Sequence, residues 1–153
     1  MEYRALLRNL QDPYALAVRI TADTGLRVSD VLAIRCGDIA RTMKVRERKT
    51  GKCRKVTLSP DTLRRAKAYA AHGGEMLIDR NRSSVYRQIT ATARQLGYTN
   101  VSMHSLRKYY ARRYCRAHGL RATQQELQHD YLSTTILYVI DPDQVSGMIQ
   151  EGE

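Results

Sequence analysis

Among the arginines, lysines and histidines of this sequence, the types that bind a phosphate, five stand out by their positions: Arg27, Lys49, His104, Arg107 and His129. A sixth residue, Tyr138, places a phenol where a soluble core does not obviously require one. His104 and Arg107 are three apart, so on a helix they project from one face. Their place near the positive N-terminal end of that helix makes a natural anion site. Arg27 follows Gly25 at an expected corner between two helices, where Asp30, one turn on, can reach back to orient its guanidinium. Lys49 lies on a glycine-bearing turn among Arg46, Arg48, Lys52, Arg54 and Lys55, a compact cationic finger suited to phosphate contact. His129 precedes the Tyr138 helix by one turn of chain and can reach toward whatever the phenol touches. Each residue also has a plain structural reading. Tyr138 can fill a core edge, His129 can cap a helix, Arg27 can pair with Asp30 at the surface, and the finger can be solvated charge.

The bulk properties favour a polyanionic partner. In 153 residues there are 26 Lys and Arg against 15 Asp and Glu, a formal net charge of +11, and the isoelectric point is near 9.9. That excess is beyond what solubility needs. The length suits one domain with one core, so residues 1–153 are read as a single unit. No apolar run approaches the roughly 20 residues of a membrane span, and no signal pattern opens the chain, so a soluble, cytoplasmic protein is expected. Cys36, Cys53 and Cys115 fit neither a disulfide framework nor a zinc pattern and are read as reduced structural thiols. With no Trp or Phe, the ten tyrosines must supply the aromatic packing.

The elements that position these residues read as mostly helical. Asp12-Pro13 is a cap-then-proline start for a helix running to Thr24, closed by Gly25, with a second helix restarting at Arg27. Residues 43–48 and 55–58, alternating and separated by Lys49-Thr-Gly-Lys, predict an antiparallel hairpin, to which residues 39–41 could add a third strand. Ser59-Pro60 starts a helix over 61–72, which Gly73-Gly74 stops and His72 caps. Ser83 caps another over 84–96, closed by Gly97. A long helix then begins near Ser102 and ends at Gly119, with Leu106, Tyr109, Tyr110 and Tyr114 as its buried stripe. Lys108, Arg112, Arg113 and Arg116 add charge around His104 and Arg107. Ser133 is expected to cap a short helix over 134–140 that carries Tyr138.

Taken in order, Thr24-Gly-Leu-Arg-Val-Ser-Asp-Val-Leu, Arg48-Lys-Thr-Gly-Lys, His104-Ser-Leu-Arg-Lys and Leu127-Gln-His-Asp-Tyr-Leu-Ser-Thr-Thr-Ile-Leu-Tyr resemble the catalytic domain of the tyrosine recombinase (phage integrase) family. The resemblance spans residues 12–140. It implies an α+β, mainly helical catalytic domain with a small antiparallel sheet. It further implies Arg27 and Arg107 as phosphate-clamping arginines, Lys49 as the hairpin lysine, His104 and His129 as further polar residues, and Tyr138 as the nucleophile, with Arg27, His104, Arg107, His129 and Tyr138 converging on one basic face. Asp30 is a supporting residue, and Arg48, Lys52, Arg54, Lys108 and Arg112 are expected at the DNA.

By that likeness the chain is a site-specific DNA recombinase or integrase, of the kind found on mobile elements, acting on double-stranded DNA with self-association on it. Phenol attack on a phosphodiester exchanges one ester for another through a 3′-phosphotyrosine, so neither ATP, cofactor nor metal is expected. The alternatives are a type IB topoisomerase-like nicking and resealing enzyme and a non-catalytic DNA-binding module. Two departures stand out. Gln128 replaces the glycine usual before the second histidine, and the N-terminal clamp domain usual in the family is expected to be absent, with about a dozen residues ahead of the first helix. A C-terminal segment in the family commonly docks on a neighbouring protomer; here the corresponding tail is residues 141–153.

Overall fold

Tyr14-Ala-Leu-Ala-Val-Arg-Ile-Thr-Ala-Asp-Thr is apolar on most of its circumference, and a helix of that kind must be surrounded. It forms α2, Tyr14–Thr24, in which Ala15, Leu16, Ala17, Val18, Ile20, Thr21, Ala22 and Thr24 are all buried. The computed structural model describes residues 3–140 and divides into two compact units, Met1–Arg107 and Lys108–Glu153. In the first, α2 packs against α1 (Tyr3–Arg8), α3 (Val28–Val31), β2 (Cys53–Thr57), α4 (Pro60–Ala70) and α5 (Arg82–Gln95). Its core gathers Leu6, Leu16, Ile20, Leu26, Val31, Met43, Val56, Leu58, Ile78, Val85, Ile89 and Leu106. Burying side chains of this size stabilises by about 1.5–3 kcal/mol each.

The predicted hairpin is present as β1 (Thr42–Arg46) antiparallel to β2, in the register Met43↔Val56 and Val45↔Arg54. Among the described residues the sheet has two strands, not three. Residues 39–41 are not a strand: Cys36–Asp38 is a 3-10 turn, Arg35 before it makes an isolated bridge with Met76, and the Arg41 carbonyl accepts the Leu58 N–H at 2.8 Å where the hairpin begins. No described helix is long and apolar enough to cross a membrane.

Gly25 closes α2 as expected, in the left-handed region at φ 66°, with its N–H donated to the Thr21 carbonyl. Three expected caps differ. Helix α2 starts at Tyr14 with Pro13, not Asp12, in the capping position. Asn81, not Ser83, caps α5, because its side chain accepts from the Ser84 N–H at 2.8 Å two residues earlier than expected. At the third, Ser133 lies inside a helix capped by Tyr131. Ser59 does cap α4, accepting from the Thr62 N–H, and the ring of exposed His72 contacts the Tyr69 carbonyl.

The long helix is α6, Met103–His118. It gives its first turn to the first unit and the remainder to the second. Its buried residues are Met103, Leu106, Arg107 and Ala111. Tyr109, Tyr110 and Tyr114 are half-buried rather than core, and Tyr110 uses its hydroxyl to donate to Glu126 at 2.7 Å. The second unit continues with α7 (Leu120–Glu126), a helix with no clear signal in the sequence, and α8 (Leu132–Val139), which packs against it. Residues 141–153, where a docking tail is expected, lie outside the described residues.

Candidate active site

The corner between α2 and α3 gathers Arg27, Glu47, Arg54 and Arg107. Arg27 is the capping residue of α3, extended at φ −70°, ψ 153°. Its Nη1 donates to Glu47 Oε2 at 2.8 Å. Asp30 does not orient it; buried Asp30 instead accepts the Arg48 backbone N–H on Oδ1 at 2.9 Å. The expected partner therefore changes from Asp30 to Glu47, a residue the sequence reading left unassigned. Glu47 lies two positions beyond Val45 on the inward phase of β1, and strand alternation is the signal that could have found it.

Arg107 is buried, and its Nη1 donates to the Gly25 carbonyl at 2.5 Å. This brings Arg107 to the same corner as Arg27. His104, one turn earlier, is exposed in the first turn of α6. Lys49 is exposed on the hairpin turn, with Arg48 and Lys52 exposed beside it. The turn closes through Glu47 N–H to Lys52 carbonyl at 2.9 Å and Gly51 N–H to Glu47 carbonyl at 2.8 Å, with Gly51 at φ 69°.

Arg54 is a correction. Expected at the DNA, it is 5% exposed, with Nη1 3.5 Å from Glu47 Oε1 and Nη2 donating to the Thr24 carbonyl. It points inward because it is two residues before Val56 on β2, whose burial alternates. A guanidinium in that position can stay charged only with partners, and Glu47 supplies one.

In the second unit, His129 and Tyr138 meet. Their ring centroids are 4.8 Å apart at 67°, an edge-to-face contact, and Lys108 Nζ stands 5.9 Å from the Tyr138 ring centroid. His129 Nδ1 is 2.9 Å from the hydroxyl of buried Thr135, so one ring nitrogen is held and the ring plane is fixed. The backbone is fixed too. The Gln128 N–H bonds to the Gln125 carbonyl and the His129 N–H to the Gln124 carbonyl, both at 3.1 Å. With Gln128 left-handed at φ 54°, this is a Schellman closure of α7. The turn that usually has glycine thus keeps the left-handed geometry with glutamine. Half-buried Arg112 donates through Nη2 to the Ile140 carbonyl.

The phage integrase family model matches residues 1–144. Among solved structures, the XerA recombinase is 22% identical with a TM-score of 0.78, covering 98% of this chain and 62% of that one. A lambda integrase dimer bound to a COC′ core site is 22% identical with a TM-score of 0.75, covering 92% and 46%. The lambda integrase catalytic core is 23% identical with a TM-score of 0.70, covering 84% and 88%. The chain therefore spans less than two thirds of the first two, while the catalytic core alone is nearly matched end to end. No curated protein matches.

Proposed function

Because this chain belongs to the phage integrase family, we propose that it breaks and rejoins DNA by transesterification, with Tyr138 as nucleophile and a 3′-phosphotyrosine intermediate. The observation that carries this reading is the convergence of Arg27 and Arg107 on the Gly25 to Arg27 corner. Two guanidiniums there suit the non-bridging oxygens of one phosphodiester, which gain charge as the pentavalent state forms. Tyr138 Oη attacks phosphorus, the bond to the 5′-oxygen breaks, and the phenol proton passes to a base, for which His104 is the candidate. Lys49 protonates the departing 5′-oxygen. His129, held through Nδ1 by Thr135, donates to the phosphate.

Arg48, Lys52, Lys108 and Arg112 contribute to holding the duplex. Asp30 supports the hairpin by binding the Arg48 N–H rather than by holding Arg27. Self-association on DNA belongs to the same proposal. Lambda integrase has been solved as a dimer on a core site and as a tetramer on a Holliday junction, and Tyr131 and Leu137 of this chain are 73% and 72% exposed.

The test is incubation with a nicked duplex whose cleaved strand end diffuses away, followed by a denaturing gel for protein-linked DNA. Wild type should give covalent product. Tyr138→Phe should keep its fold and its DNA affinity, losing at most about 1 kcal/mol of stability, and give none. Covalent product from Tyr138→Phe at the wild-type level would overturn the assignment and pass the role to Tyr131, Tyr109 or Tyr110. Binding without any covalent product from wild type would favour the non-catalytic DNA-binding module.

A further inference from the structure

A carboxylate with no solvent exposure, placed against the arginine that is to bind a phosphate, is an odd choice for affinity alone. Its charge opposes the anion that the arginine is to attract. Glu47 is such a group, 0% exposed and bonded to Arg27 at 2.8 Å. It does more than pair. Its Oε2 also accepts from Thr50 Oγ1 at 3.3 Å, and its Oε1 faces Arg54 Nη1 at 3.5 Å. Arg54 in turn donates to the Thr24 carbonyl. The backbone of the same residue closes the turn that bears Lys49, through Lys52 and Gly51. Arg48, next to Lys49, is tied by its N–H to Asp30 on α3.

We propose that Glu47 is a positioning residue for this site: its buried carboxylate fixes the Arg27 guanidinium, while its backbone closes the Lys49 turn beside the α2–α3 corner, so that Arg27 meets the phosphate already oriented. The inference rests on the transesterification reading above. An arginine fork has five donors, and giving one Nη to Glu47 sets the plane in which the others face a ligand. The cost is electrostatic and falls on ground-state binding, whereas the gain is orientation, which acts on the chemical step. Rate and affinity should therefore separate when the charge is removed. A residue that only stabilises the fold would not separate them.

The experiment is single-turnover cleavage of a nicked duplex by the full chain across a DNA titration. It compares wild type, Glu47→Gln, Glu47→Asp, Arg27→Ala and the Arg27→Ala, Glu47→Gln double variant. Glu47→Gln should lower the saturating rate constant by about 10²-fold, the scale of a misplaced catalytic group, with the half-saturating DNA concentration unchanged or lower. Glu47→Asp, which keeps the charge and is the safer variant should Glu47→Gln not fold, should recover part of that rate. In the Arg27→Ala background, Glu47→Gln should cost less than about 3-fold more, since coupled residues are not additive. A wild-type rate in Glu47→Gln, parallel loss of rate and affinity, or independent multiplication of the two effects would each overturn the proposal.

If wild type forms no covalent product, the transesterification reading fails by itself. Glu47 is then judged by phenylglyoxal modification mapped by mass spectrometry. Freed from its carboxylate, Arg27 should react several-fold faster in Glu47→Gln while exposed Arg113 stays constant, and an unchanged Arg27 would refute the positioning role.

Discussion

Arg107 and Gly25, 82 residues apart in the chain, are joined by a 2.5 Å hydrogen bond from Nη1 to the carbonyl. The preceding carbonyl, that of Thr24, is taken by Arg54. Two consecutive carbonyls at the end of α2, where a helix leaves such groups without internal partners, are thus each met by a buried arginine. Arginine serves here because its planar fork can satisfy a carbonyl with one nitrogen and keep others for a second acceptor.

Arg107→Lys should accordingly fail as a conservative change. A lone ammonium cannot reproduce the fork, so a loss of about 1–3 kcal/mol from an unsatisfied buried acceptor is expected, along with about 10²–10³-fold slower cleavage. Denaturant midpoints give the first quantity. Covalent-product formation at a temperature where the variant remains folded gives the second. Cleavage at the wild-type rate would remove Arg107 from the phosphate.

Features that were legible in the sequence are those set by backbone need. Gly25 must be left-handed to end α2 beside a new helix, and Lys-Thr-Gly between alternating segments leaves little besides a hairpin. Less legible was the choice among competing caps. Asn81, Ser83 and Ser84 stand within four residues, and the first of them won by bonding the Ser84 N–H. Helix α7 passed unnoticed because Leu120-Arg-Ala-Thr-Gln-Gln-Glu carries almost no apolar period. At the site, residue type singles out Arg27, Arg107, His129 and Tyr138 as candidates, but type misleads at Arg54, where charge reads as surface. Strand alternation from Val56 and Val45 places both Arg54 and Glu47 inward, and that signal outweighed charge because the two could satisfy each other.

Asp61 gives a pH prediction. The hydrogen bond from Arg64 chiefly, aided by Arg65 and the charge of Arg19, holds its carboxyl below the ordinary aspartate range. A folded-state pKa below the unfolded one adds stability that is present above the unfolded value and is lost as pH falls through the folded one. Asp61 is 45% exposed at its side chain, so the effect should be small, about 0.5 kcal/mol. Melting temperatures of wild type and Asp61→Asn should differ at pH 6 to 7, and the gap should close below pH 3.8. A gap that persists in acid would assign the effect to helix geometry rather than to charge.

Duplex binding should be dominated by phosphate contacts and so depend steeply on salt. For about 5 such contacts, a plot of log affinity against log salt should have a slope of about −4 to −5. Lys52, exposed on the hairpin turn, should supply one of them. Lys52→Ala should then make the slope shallower by about 0.9 while weakening all sequences alike. Fluorescence anisotropy over a salt series measures both, and a slope near zero would exclude duplex DNA as the substrate.

The turn before His129 makes the opposite kind of prediction, an improvement. Gln128 sits at φ 54°, a conformation that costs a side-chain-bearing residue about 1–2 kcal/mol and that glycine adopts freely, although glycine gives up about 0.5–1 kcal/mol of that advantage to unfolded-state entropy. The hydrogen bonds that hold the turn, from Gln128 to Gln125 and from His129 to Gln124, are backbone to backbone, so Gln128→Gly keeps them. A net gain of about 0.5–1 kcal/mol is expected, seen as a higher denaturant midpoint with an unchanged slope. Because His129 stays held by the same N–H and by Thr135, the rate of covalent-product formation should not change. Gln128→Val, whose branched side chain tolerates the left-handed region worst, should move the midpoint the other way. A destabilised Gln128→Gly would mean that contacts of the glutamine side chain outweigh the strain of its backbone.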